Sequence, residues 1–275
     1  MKNNIKDIHD VLTQKLKIYI NAIIREYGRF IPKDRLMYLE NIKDYSKIIN
    51  IHNFNSINGY ASSNMIHMPL SALDVFNEIS KLPNYGIDKN HKTYDNSNLI
   101  INNNTFLNYL NHLIVSGATL EDYFEDLLLH EVMHFCGSGG SVSLKEGINE
   151  FLTRKLALKY GFKTSGCGYP KEVFIVSRLA DIFKEDTIIQ IAFINDEKMI
   201  FDFLKTSISI EAAFLYKDVL QIMEKEFFTK YYSHMNEYNQ TSGVISKIKN
   251  YDTINYDKVN KIIDKYEHNK KQIKL

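Results

Sequence analysis

The chain has no tryptophan, four prolines and only two cysteines among its 275 residues. Cys136 and Cys167 do not make a disulfide framework, and no CxxC pair offers the usual half of a structural zinc site. Nothing here therefore demands an oxidising compartment. An excess of one charge is missing too: 34 Lys and Arg stand against 33 Asp and Glu, a net charge of +1. Nucleic-acid recognition needs a basic excess or stripe, so no nucleic acid is expected as a partner. No stretch reaches the roughly 18 consecutive apolar residues of a membrane span. The first ten residues carry Asp7 and Asp10 where a cleaved signal would place an apolar run. The expectation is a soluble, cytoplasmic chain with no membrane partner, export by a route without a cleaved signal staying open.

What is present is ordinary globular material. Hydrophobic residues make up 44% and charged residues 24%, enough for one large domain or two lobes with their own cores. The 18 Tyr and 16 Phe supply the aromatic bulk. The abundance of Asn, Ile and Lys reads as the bias of a low-GC bacterial genome and not as a physical requirement. Residues 5–28 show helical spacing on Ile8, Leu12, Leu16, Ile20, Ile23 and Tyr27, and a second helix is expected over 33–49 after Pro32. A strand is expected within 64–69, closed by Pro69, then a short helix from Ser71 to Leu82 and a loop over 83–97. A further short strand over 98–102 and a helix from Asn104 through Val115 follow. After Gly161 the pattern is almost wholly helical: one helix opened by Tyr169-Pro170, others over 186–194, 196–206 and 209–232, and a last one from Tyr256. The basic end at Lys270, Lys271 and Lys274 reads as a solvated tail.

The chemistry concentrates in His130-Glu131-Val132-Met133-His134. On a helix this HExxH spacing puts two imidazoles on one face, where both reach one metal ion, with the intervening glutamate placed to take a proton from a water there. With nine histidines the pattern arises by chance in roughly one such chain in fifty, so its context decides. That context is a helix. Thr119 and Asp122 suit its start, Leu120, Phe124, Leu127, Leu128, Val132 and Met133 give it an apolar face, and Gly137, Gly139 and Gly140 stop it just past the second histidine. A second helix begins near Ser143 and carries Glu146 and Glu150 four residues apart on one face. Competing structural roles exist for both: Glu146 as capping-box partner of Ser143, and Glu150 as a solvated carboxylate paired with Arg154. Cys136, two residues past His134, is either a further ligand or a small buried residue at the helix end. The histidines at 9, 52, 67, 91, 112 and 268 show no ligand spacing.

These two stretches resemble the gluzincin metallopeptidases, the thermolysin-like and M1-aminopeptidase-like group, whose HExxH helix is followed by a helix bearing a glutamate ligand. Lys145-Glu146-Gly147-Ile148-Asn149-Glu150-Phe151 is similar to that second motif, in a compact form: Glu146 follows His134 by twelve residues, a shorter spacer than in the large families. The likeness covers about residues 119–160. It implies Zn2+ held by His130, His134 and Glu146, with Glu150 one turn on orienting a zinc-bound histidine. It also implies Glu131 as general base in hydrolysis of a peptide or protein substrate, and a tyrosine or histidine from the later helices as oxyanion donor. Tyr169 is the first choice for that donor, ahead of Tyr231, Tyr232 and His234. The fold it implies is α+β, mostly α, and zincin-like. A small N-terminal lobe (residues 1–140) would hold the sheet and the HExxH helix, and a helical C-terminal lobe (141–275) the third ligand. In such lobes a sheet edge beside the active helix pairs with extended substrate, and 64–69 and 98–102 are the candidates. The competing reading is a zinc-binding regulatory or structural protein without turnover, which a closed four-ligand site including Cys136 or Glu150 would favour.

Overall fold

The computed structural model describes residues 5–52, 59–69, 120–138, 143–164, 168–224 and 256–273. Among them helix predominates, and the sheet is small: the protein is α+β, mostly α. The helices, in chain order, are α1 (Ile5–Tyr27), α2 (Lys33–Glu40), α3 (Leu120–Phe135), α4 (Ser143–Tyr160), α5 (Pro170–Phe183), α6 (Glu185–Ala192) and α7 (Glu197–Ser207). They are followed by α8 over residues 210–224 and α9 (Tyr256–Ile273). The strands are β1 (Ile49–His52), β2 (Tyr60–Ala61) and β3 (Ile66–Pro69). No helix among the described residues is long and apolar enough to cross a membrane.

The chain divides into two compact units. The first comprises Met1–Leu99, Tyr109–Ser138 and Leu152–Gly168, and the second Ile100–Asn108, Gly139–Phe151 and Tyr169–Leu275. The division falls within α4, which is one unbroken helix.

In the first unit the apolar stripe of α1 does what its spacing requires. Leu12, Leu16, Ile20, Ile23 and Tyr27 are buried, and the stripe packs on α3. Tyr19 joins that stripe, and its hydroxyl donates to Glu125 of α3 at 3.2 Å, while Lys15 pairs with the same carboxylate. Burial first, and Glu125 second, push the Tyr19 hydroxyl far above the ordinary tyrosine range, so it serves as a neutral donor. On the other flank β2 and β3 lie on α3. Leu128, Leu129, Val132 and Met133 are fully buried, and Glu125, Asp126, His130 and Glu131 are buried as well, so α3 is covered nearly all round and stands at the centre of its unit.

Two sequence expectations change here. The helix expected over 33–49 ends at Glu40. Asp44 accepts hydrogen bonds from the Ser46 amide (3.1 Å) and hydroxyl (2.5 Å), which sets a 3-10 turn over Tyr45–Lys47 and diverts the backbone from the helix. The apolar residues beyond it then enter β1, where Ile49 pairs with Ile66 in parallel register. The segment within 64–69 is a strand as expected but not a sheet edge. The order is β1-β3-β2, so β3 is flanked on both sides. The expected helices over 71–82 and 104–115, the strand over 98–102 and the capping by Thr119 and Asp122 concern residues or side chains outside those described.

In the second unit, α5 packs on α6 and on α9, burying Ile175, Val176, Leu179 and Phe183. Pro170 opens α5 at its first position, as its fixed φ favours. Arg178 of α5 reaches Asp264 of α9 at 2.7 Å and Asn260 at 3.0 Å. The helix expected over 209–232 is seen for residues 210–224, with Ala213, Leu215 and Val219 buried.

Candidate metal centre

The site grows from the last two turns of α3. His130 and His134 stand one turn apart, with ring centroids 4.9 Å apart and planes at 77°. Both can present a nitrogen to one point without stacking on each other. His130 and Glu131 are buried and His134 is half-buried.

The end of α3 fixes the second imidazole. Gly137 has φ 109°, a conformation that glycine adopts without strain and other residues rarely do. Its N–H bonds the His134 carbonyl (2.9 Å), and the Ser138 N–H bonds the Met133 carbonyl (3.3 Å), the paired closure of a Schellman turn. That turn brings the Ser138 carbonyl under the ring of His134, 2.8 Å from Nδ1. A carbonyl can only accept, so Nδ1 is the donor, and in the neutral ring the lone pair is on Nε2. Metal-binding histidines are held in this way, by a second ring N–H donated to a carbonyl or carboxylate.

Arg35 anchors the same helix end from α2. Its Nε donates to the Phe135 carbonyl (2.7 Å), as does one terminal nitrogen, and the other donates to the Ser63 carbonyl (2.6 Å). The guanidinium also lies over the Phe135 ring, 4.2 Å from its centroid. A cation on the exposed carbonyls of a helix C-terminus is favourably placed, and this one also ties the β2–β3 turn to α3.

The third donor comes from α4. Ligand atoms of His130, His134 and Glu146 all lie within 4.8 Å of one another, a grouping of two imidazoles and one carboxylate. Among the described residues no other group of three or more such donors is found. Zinc takes imidazole nitrogen and carboxylate oxygen at about 2.0–2.2 Å, so the donor set is of a kind that could hold that ion. Ser143 is the first residue of α4, and its hydroxyl donates to Glu172 of α5 at 3.2 Å. Glu172 also accepts from the Tyr256 hydroxyl.

Gly147 explains how α5 comes so near. A Cβ there would lie 2.6 Å from Glu172 Cβ and 3.0 Å from its carbonyl carbon, so only glycine lets the α5 backbone abut the residue after Glu146. Tyr169, the expected oxyanion donor, is the N-cap of α5, three residues before Glu172. It is partly exposed and in the left-handed region at φ 46°. Tyr231, Tyr232 and His234 lie outside the described residues.

Two further expectations find definite places. Glu150 is buried at 2% exposure, which removes its reading as a solvated carboxylate; Asn149 and Thr153 beside it are buried as well. Cys136 is fully buried at the helix end, and desolvation pushes its thiol up to about 12, only partly offset by Arg35. It is not among the grouped donors.

Sequence reasoning missed Ser138 and Arg35. Gly137 signalled the turn that delivers the Ser138 carbonyl, but no spacing rule links Arg35 to residues a hundred positions away. No protein-family model matches the chain, and neither the curated proteins nor the solved structures searched give a match.

Proposed function

We propose that the protein is a zinc-dependent metallopeptidase of compact gluzincin type, with a zincin-like arrangement around α3 and α4. The observation that carries this reading is the grouping of His130, His134 and Glu146 within 4.8 Å, beside a buried Glu131 on the same helix. His130, His134 and Glu146 would hold the ion. Zinc at such a site supplies Lewis acidity, polarising a substrate carbonyl and bringing the pKa of water toward neutrality.

The chain's own groups do the rest. Glu131 takes the proton of the attacking water as its oxygen bonds to the amide carbon, then delivers that proton to nitrogen as the C–N bond breaks. The Ser138 carbonyl holds His134 in the tautomer whose Nε2 lone pair would ligate the ion. Tyr169, at the head of the helix that abuts Gly147, is the proposed donor to the developing oxyanion. Glu150 is proposed to orient a ligand from the buried face of α4. The substrate is a peptide or protein.

Glu131→Gln tests the assignment. The amide is nearly isosteric and accepts no proton, so zinc content and fold are retained while hydrolysis of a casein peptide mixture falls by about 100-fold or more. Loss of zinc in this variant would make Glu131 a ligand and end its assignment as base. Unchanged hydrolysis would leave a zinc-holding protein whose site does not turn over.

A further inference from the structure

We infer that Gly59 is a positioning residue for Glu131: its lack of a side chain leaves the space in which the Glu131 carboxylate stands. The inference rests on the reading of Glu131 as general base. Its geometry is independent of any metal. A Cβ built on Gly59 would lie 2.9 Å from Glu131 Cγ, 3.2 Å from Glu131 Oε1 and 3.1 Å from the His67 carbonyl oxygen. The space a side chain at 59 would need is therefore already taken by a β3 carbonyl and the Glu131 side chain.

Which of the two would yield decides what the glycine is for. The β3 side is fixed. His67 lies in the central strand, paired with Asn50 of β1 and Tyr60 of β2, and its ring stacks on Tyr60 with centroids 4.1 Å apart. The strand containing Tyr60 is fixed as well. Ser62 closes the turn into β3 through its amide to the Met65 carbonyl (2.8 Å) and its hydroxyl to the same group (3.1 Å), and Arg35 ties Ser63 to the end of α3. Against a backbone carbonyl held in the central strand, the Glu131 side chain is the one with χ angles to change. Its Cγ is mid-chain, so relief means a different χ rotamer and a displaced carboxylate. Base positions matter steeply: a shift of about 1 Å at a reacting group costs on the order of 100-fold. Gly59 thus sets where the base stands by what it leaves out.

The experiment compares full-length, zinc-loaded wild type with Gly59→Ala, with Ser63→Ala as a control in the same hairpin, and with Gly59→Ala/Glu131→Asp. Aspartate is one methylene shorter and makes room for the added methyl group. Three readouts are taken: zinc affinity by chelator competition, the carboxylate 13C resonance of Glu131 in 13C-glutamate-labelled protein (assigned by its loss in Glu131→Gln), and hydrolysis of the casein peptide mixture. The expected result is a displaced Glu131 resonance in Gly59→Ala but not in Ser63→Ala, with zinc affinity held within about twofold. The kcat should fall by roughly 10–100-fold at unchanged KM, and Glu131→Asp should cost less in the Gly59→Ala background than in the wild-type one. An unmoved Glu131 resonance in folded Gly59→Ala overturns the inference, as does strict additivity of the two substitutions. If Gly59→Ala does not fold, recovery of folding by Glu131→Asp supports the inference, and failure to recover places the crowding against the sheet and overturns it. Absence of hydrolysis in the wild type itself would count against the peptidase reading alone, because the resonance and folding comparisons still decide the role of Gly59.

Discussion

His134 has one ring nitrogen committed to the Ser138 carbonyl, and that single hydrogen bond determines which nitrogen is left for a metal. The anionic donor is the other decisive residue. Glu146 stands with the two imidazoles, whereas Glu150 lies one turn further along α4 and is buried. Glu146→Ala removes the carboxylate from the donor set and is expected to lower zinc affinity far more than Glu150→Ala. The latter is expected to cost about 10–100-fold, the range for a residue that orients a ligand. Chelator competition on both variants at one pH measures it, and the reverse ranking would make Glu150 the ligand. At this scale the sequence was informative for the histidines, because i,i+4 spacing on a helix is a geometric statement: His130 and His134 were named from it, Glu131 as the residue between them, and Glu146 from the resemblance of its helix to the gluzincin motif. The Ser138 carbonyl and Gly59 were not, since a backbone acceptor has no side-chain signature and close approach of a strand depends on tertiary packing.

The element that decides the site is the end of α3. Gly137 closes it with φ 109°, and the same turn delivers the Ser138 carbonyl to His134. Gly137→Ala forces a β-carbon into that region and is expected to cost about 1–2 kcal/mol of stability. By loosening the His134 hydrogen bond it should also cost at least a few-fold in zinc affinity. Urea denaturation of metal-free protein separates the first effect from the second; a variant matching wild type in both would remove the turn from the account. Helix existence was legible wherever a 3.6-residue pattern ran long, as in α1, where Leu12, Leu16, Ile20 and Ile23 marked the buried face. It failed over 33–49, where one Asp44–Ser46 turn and a parallel pairing between Ile49 and Ile66 outweighed a helical-looking spacing. The pairing is long-range, and periodicity within one segment carries no information about it.

For the molecule as a whole, specific ion pairs give stability a pH dependence. In the first unit Lys159 and Tyr160 at the end of α4 both donate to Glu26 of α1, the tyrosine at 2.7 Å. These hydrogen bonds, led by Lys159, hold the Glu26 carboxyl below its ordinary value. A depressed folded-state pKa means that the folded protein binds fewer protons there than the unfolded chain. The contribution is present above the ordinary carboxylate range and fades as pH falls through the lowered value. Wild type should accordingly lose more stability than Glu26→Gln between about pH 6 and pH 3, by a modest margin because the Lys159 partner is largely exposed. Urea midpoints at each pH measure the difference, and parallel curves for the two proteins would dismiss the pair. The claim on which everything else depends is the metal itself. Elemental analysis of purified, zinc-equilibrated protein should find one zinc per chain in the wild type and none above background in His130→Ala/His134→Ala. Stoichiometric zinc in that double variant, or none in the wild type, would contradict the account at its root.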